Sequence, residues 1–252
     1  MSQTNKPVKA FKPAQISVPA YGKGWLAVDK PAGMSVHNDP GQDLCSCALD
    51  YIQKDPDIRS KIKIDPKFGV HPVHRLDRET SGIILLAVDR ETFRFFSIQF
   101  ESHEVKKQYV ALLHGLLENH EGKDLWGKWL WPISKNAGGR KNPQGSGRLQ
   151  HSETHFRVIE HSVHYTMVNI ELLTGRKHQI RRHAKLAGHP VVGDARYGST
   201  RAVNFLYQNF GFNRLALHAH TITLKLPGKN KPQTIRTLSI PDQIKNLFAA
   251  DH

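Results

Sequence analysis

The residues from His74 to Gly82 read HRLDRETSG. They place one carboxylate, Asp77, between Arg75 and Arg78, in a polar stretch that opens onto the apolar run Ile83 to Val88. A side chain at the entrance of a buried strand is held firmly and can still face a cleft. The same string also fits a solvated, salt-bridged turn.

A second constellation, LTGRKHQIRRH, spans Leu173 to His183. If Thr174 caps a helix from Gly175 to about Ala187, then Lys177, Arg181 and Lys185 share one face at i, i+4, i+8. That face and the positive end of the helix dipole would both favour phosphate. Ile180, His183, Ala184 and Ala187 would form the buried stripe, and Arg182 is expected to face solvent or nucleic acid. Residues 174–201 hold seven Lys/Arg and one acid, Asp194, whereas an ordinary solvated helix mixes signs. A third string, Gly188 to Gly198, reads as a tight loop. A fourth, Lys106-Lys107-Gln108-Tyr109, sets an aromatic beside amines. Tyr109 can stack on a base there, or equally be a core strand residue.

The elements that position these groups follow from periodicity. Trp25 to Asp29 reads as a strand ended by Pro31-Ala32-Gly33. Asp43 caps a helix with apolar positions Leu44, Cys47, Ala48, Tyr51 and Ile52, ended by Pro56. Ile83–Val88 is a buried strand, and Asp89 caps a helix burying Phe93, Phe96 and Phe100. Further strands are expected at Gln108–Leu113, Thr154–Ile159, Tyr165–Leu173 and Leu215–Leu226. Strands outnumber helices and hairpin-like neighbours dominate. The expected fold class is therefore α+β, a mixed, mostly antiparallel sheet with flanking helices. Residues 1–24, with four lysines, three prolines and no acid, form a basic N-terminal arm, and 25–252 form one domain. Residues 135–148 hold four glycines and four Lys/Arg, and are expected to be a flexible basic loop.

The chain has 252 residues, 36 Lys+Arg against 22 Asp+Glu and a formal net charge of +14. Such a domain usually meets a polyanion, with nucleic acid the first candidate. The longest apolar run is far short of a membrane span, so no membrane partner is expected. Two cysteines, Cys45 and Cys47, rule out a disulfide framework and fit a reducing cytoplasm. Sixteen histidines invite a metal reading. However, His178 and His183 lie at i, i+5, and no acid or cysteine cluster accompanies His218 and His220, so no metal is expected.

Together these strings resemble the RluA family of RNA pseudouridine synthases. HRLDRETSG is similar to its catalytic motif, with Asp77 as the aspartate. KPAGMSVH from Lys30 resembles its opening motif, and KKQYVALLHG its tyrosine-bearing strand. ELLTGRKHQIRRH with GHPVVGDARYG resembles its long C-terminal motif, and Arg214 to Ala219 its closing strand. The resemblance covers residues 25–226 in the family's order. It implies isomerisation of a specific uridine in structured RNA, with no cofactor. Asp77 would act on the glycosidic bond, Tyr109 would stack on the uracil and assist proton transfer, and Arg181 would partner Asp77. Arg75 would displace the target base, and Ile180 would line the pocket. Arg176, Lys177 and His74 are expected to bind substrate. Only 24 residues precede the region of resemblance, so the family's S4-type domain is expected to be absent. The basic C-terminal motif and residues 201–211 look more like a tRNA-modifying branch than a ribosomal one. A monomer without protein partners is expected. The alternatives are a non-catalytic RNA-binding protein on the same fold and a metal-dependent nuclease.

Overall fold

The computed structural model describes residues 16–118 and 126–252. In chain order the elements are β1 (Ser17–Gly22), β2 (Trp25–Lys30), α1 (Leu44–Lys54), α2 (Pro56–Ile62), β3 (His71–Pro72) and β4 (Ser81–Ala87). Then come α3 (Arg90–Glu101), β5 (Lys106–His114), β6 (Gly127–Trp129), β7 (Ile133–Ser134), β8 (Leu149–Gln150) and β9 (Thr154–His161). The chain closes with β10 (Tyr165–Leu172), α4 (Gln179–Leu186), α5 (Thr200–Phe210), β11 (Leu217–Leu224), β12 (Gln233–Arg236) and α6 (Asp242–Ala249).

The main sheet runs β1-β2-β4-β11-β5-β10-β9-β6, with β3 beside β4 and β12 beside β11. Among the described residues β4–β11 is its parallel pair and the other pairings are antiparallel. The fold is thus α+β. Strand β4 is buried along its whole length because both faces of the sheet are covered. Ile84 and Leu86 join α1 and α2 in one core, while Ile83 and Leu85 meet Phe96 of α3 in the other. This two-sided burial explains an apolar run without alternation.

Asp43 caps α1 by accepting from the Ser46 N–H, and Asp89 caps α3 by accepting from Thr92 N–H. Of the three phenylalanines expected to be buried by α3, Phe96 is fully so; Phe93 and Phe100 are half-buried. Pro56 ends α1 and also opens α2 at its first turn, where its missing N–H costs nothing.

Three expectations need correction. Residues 17–22 of the supposed arm are strand β1, paired antiparallel with β2; residues 1–15 lie outside the described residues. The 135–148 segment is held in place rather than loose: Arg182 and Arg196 donate to carbonyls of Ala137, Gly138, Pro143 and Gln144 within it. Finally, α4 starts at Gln179, not Gly175. The Gln179 amide oxygen accepts from the Thr174 hydroxyl and the Arg176 N–H, so the preceding residues form a tied turn. Lys177 therefore lies outside the helix and shares no helical face with Arg181 or Lys185.

Candidate active site

Asp77 sits in the loop between β3 and β4, and the opening motif clamps that loop from behind. The fully buried Lys30 donates to the carbonyls of Pro31, Met34 and Arg78, at 3.0, 2.8 and 3.0 Å. Burial pushes its amine down to about 7, against the opposing pull of Asp77 and Glu79. The Gly33 N–H donates to the same Arg78 carbonyl at 2.8 Å, and the Arg78 side chain pairs with Asp39 at 2.8 Å. Beyond the loop, Gly82 has φ +116°, and a Cβ there would lie 2.2 Å from the Ala219 carbonyl oxygen. Only glycine lets β4 lie this close to β11.

From the opposite side α4 delivers Arg181, which is buried. Its Nη1 lies 3.4 Å from Asp77 Oδ2 and 3.2 Å from Glu79 Oε2. Its Nε and Nη2 donate to the two oxygens of Asp194 at 2.7 and 2.9 Å. Asp194 is also buried and accepts from the backbone N–H of Arg196 and Tyr197. Burial would raise its carboxyl, but these donors hold it below the usual carboxylate range. Burial likewise opposes charge on Arg181, and the Asp194 contacts outweigh it. Asp194 is thus the main partner of Arg181, and Asp77 takes the one remaining nitrogen together with Glu79. Of the two adjacent arginines on α4, Arg182 departs from expectation. It is fully buried, and donates to the Ser134, Pro143, Gln144 and Lys177 carbonyls instead of facing solvent or RNA.

Asp77, 16% exposed, opens into a cavity of about 430 Å³. His74, Arg75, Tyr109, Arg176, Lys177, Ile180 and Arg181 also line it, so all eight residues singled out in the sequence converge there. Ile180 and Tyr109 are buried walls, whereas Arg75, Arg176 and Lys177 are exposed at the mouth. Burial, then the charge of Asp77, pushes the Tyr109 phenol well above its ordinary value, so it stays protonated. The His74 ring stacks on Phe100 at 4.9 Å, and its Nε2 accepts from the Leu85 N–H at 3.0 Å. Burial lowers it to about 3, so it is a neutral wall rather than a cation for phosphate.

His178, given no role in the sequence reading, also lines the cavity. It precedes α4 in the left-handed region, at φ 55°, with Nε2 3.6 Å from Asp77 Oδ1. Its Nδ1 shares a 3.0 Å hydrogen bond with the buried Tyr197 hydroxyl. Burial lowers its pKa despite the pull of Asp77, leaving a neutral imidazole. Glu79 and Asp194 were likewise passed over; the one acid in a run of seven cations was the available signal for Asp194. His218 and His220 both bond the Thr237 hydroxyl, and His218 also bonds Ser81.

A family model for RNA pseudouridylate synthase matches residues 24–186. The chain belongs to the RNA pseudouridylate synthase family. It is 36% identical over 213 residues to a ribosomal large subunit pseudouridine synthase C of Vibrio vulnificus, covering 83% of this chain and 61% of that one. With a tRNA pseudouridine synthase C of Haemophilus ducreyi it shares 31% over 233 residues, covering 88% of this chain and 90% of that one. The fold also matches the human RNA pseudouridylate synthase domain-containing protein 1, with TM-score 0.70, 24% identity, and coverage of 92% of this chain and 86% of that one. The strings that carry the resemblance lie at the cavity floor, in the clamp behind it and, for Arg214 to Ala219, at the parallel junction β4–β11. Among the described residues, no helix is long and apolar enough to cross a membrane.

Proposed function

We propose that this protein is an RNA pseudouridine synthase, a cytoplasmic monomer that isomerises one uridine of a structured RNA. The observation that carries this reading is Asp77, paired with Arg181 at the floor of a cavity walled by Tyr109 and Ile180. The N1–C1′ bond of the uridine breaks, the uracil turns, and a C5–C1′ bond forms. C5 then loses a proton and N1 gains one, so composition is unchanged and no cofactor is called for. The target base must leave its stack to reach the cavity, at a cost of a few kcal/mol. Arg75, Arg176 and Lys177 at the mouth offset this by holding phosphate.

Inside, the Asp77 carboxylate engages the ribose, and Arg181 fixes its direction while sparing it an unpaired buried charge. The Tyr109 ring stacks on the uracil. Its phenol, kept protonated, donates a hydrogen and does not act as base. Asp77 and the neutral His178, 3.6 Å apart, are placed to accept the C5 proton. Two unbridged cysteines fit the reducing cytoplasm. tRNA is the substrate class to favour, because the match to the tRNA-named relative spans 90% of its length.

The test is tritium release from C5-labelled uridine in tRNA transcripts and ribosomal RNA fragments, run in excess chelator. Release with the RNA uncut is expected. Binding without release would mark a non-catalytic RNA-binding protein, and chelator-sensitive strand cleavage a nuclease.

A further inference from the structure

A second cavity of about 940 Å³ adjoins the first, with Arg181 common to both linings. Glu79 stands at this shared wall, its carboxylate on Arg181. Arg196 and Arg214 also line the second cavity, adding two guanidiniums beside Glu79. Asn204 and Asn213 add amide donors and acceptors of the kind that read base edges. Nothing in the reaction at Asp77 uses this space.

Helix α5 forms one side of it and is unusual for a surface helix. Of its eleven residues, Leu206 alone is buried. Phe205, Tyr207 and Phe210 are 52%, 62% and 49% exposed, and Tyr207 lines the cavity. Three large aromatics on one short helix are an exposed apolar patch of the sort that marks an interaction site. Aromatic rings beside guanidiniums match a polynucleotide: each base offers a face to stack on, and each phosphate a charge to hold. A protein partner would share the apolar match but not explain the arginine lining.

We propose that this cavity is a second nucleotide subsite, which takes an unpaired nucleotide of the same RNA strand whose target uridine occupies the first. The base stacks on Tyr207 at the α5 surface, and its phosphate lies against Arg196 and Arg214. The subsite rests on the pseudouridine synthase reading and deepens it. RNA is selected by which nucleotide beside the target can leave its stack, as well as by the target itself.

The experiment uses the full chain carrying Asp77→Asn, bound to tRNA transcripts and ribosomal RNA fragments substituted with 4-thiouridine. The complexes are irradiated and the adducts mapped on tryptic peptides. Adducts are expected on peptide 202–214, carrying α5, as well as on peptide 108–123, carrying Tyr109. Tyr207→Ala should weaken RNA binding about tenfold, the loss expected for one stacked base. Leu238→Ser, which removes an 89% exposed apolar residue outside the cavity, should leave binding unchanged. Labelling of peptide 108–123 alone, with wild-type affinity for Tyr207→Ala, would overturn the subsite and leave the synthase reading standing. Absence of tritium release from any RNA by the wild-type chain would remove both.

Discussion

Arg181 carries three carboxylates on one guanidinium, and this sets what its loss would do. Replacement by methionine strips Asp77 of its partner and also leaves Asp194 buried and unpaired. Arg181→Met should therefore lose about 3–5 kcal/mol of stability besides its activity, the usual result of breaking one side of a buried pair. Urea denaturation checks this, and an unchanged midpoint would show that Asp194 does not depend on Arg181. Tyr109 gives a cleaner readout, because phenylalanine keeps the stacking ring and removes only the phenol hydroxyl. Tyr109→Phe should bind RNA within about threefold of wild type yet isomerise it on the order of 100-fold more slowly, as for loss of a proton donor. Equal rates would limit Tyr109 to stacking. The pairing of Asp77 with Arg181 was legible from the motifs. Asp194 as main partner was not, because its position depends on the turn at Gly193. There φ is +76°, and a Cβ would lie 2.0 Å from the Arg214 carbonyl oxygen. His178 was missed for a related reason: the turn before α4, not helical spacing, aims it at Asp77.

At the scale of elements, strand and helix identities followed the apolar periodicities closely, and the acids expected to cap α1 and α3 do so. The errors came where side chains fold a turn that periodicity cannot see. Gln179 ties the turn before α4, which delays the helix by four residues and takes Lys177 off its face. Arg182 lies in a basic run that reads as solvated. Three of its four carbonyl partners, in Ser134, Pro143 and Gln144, lie 38–48 residues away, and a glycine-rich sequence gives no sign of them. Arg182→Met should cost about 2–4 kcal/mol, since several buried carbonyls lose a charged donor. It should also expose residues 135–148 to proteolysis, while wild-type resistance would mean that other contacts hold the segment. The close approach of β4 and β11 supplies another prediction. Gly82→Ala places a methyl group against the Ala219 backbone at a φ that alanine rarely adopts. It should lose about 3 kcal/mol or more, measured by thermal melting. A melting point within a degree or two of wild type would show that the junction can open at little cost.

The whole molecule combines a strong positive charge with several buried, neutral histidines. Burial holds His183 at about 4 and His218 at about 3. Both values lie below the ordinary 6.5, so as the pH falls the unfolded chain binds protons before the folded one does. Stability should thus be level above about pH 6.5 and fall as the pH drops through 4 towards 3, by on the order of a few kcal/mol per histidine. Denaturant midpoints against pH test this; an acid slope unaltered in His218→Gln would mean that His218 contributes nothing to it. The net charge of +14 predicts salt-sensitive RNA binding. Replacing the exposed Arg176 and Lys177 by methionine should reduce the slope of log affinity against log salt by about 1.4–1.8. An unchanged slope would show that these cations do not touch phosphate. The central claim is that the Asp77 carboxylate performs the chemistry in the cavity that its neighbours build. Its most direct test is the isomerisation rate of Asp77→Asn on a tRNA or ribosomal RNA that the wild-type chain modifies, with RNA affinity measured alongside. The account predicts no detectable pseudouridine, with affinity kept within about tenfold, because the amide preserves shape and loses only the carboxylate. Isomerisation within tenfold of wild type would contradict it and move the chemistry to another group.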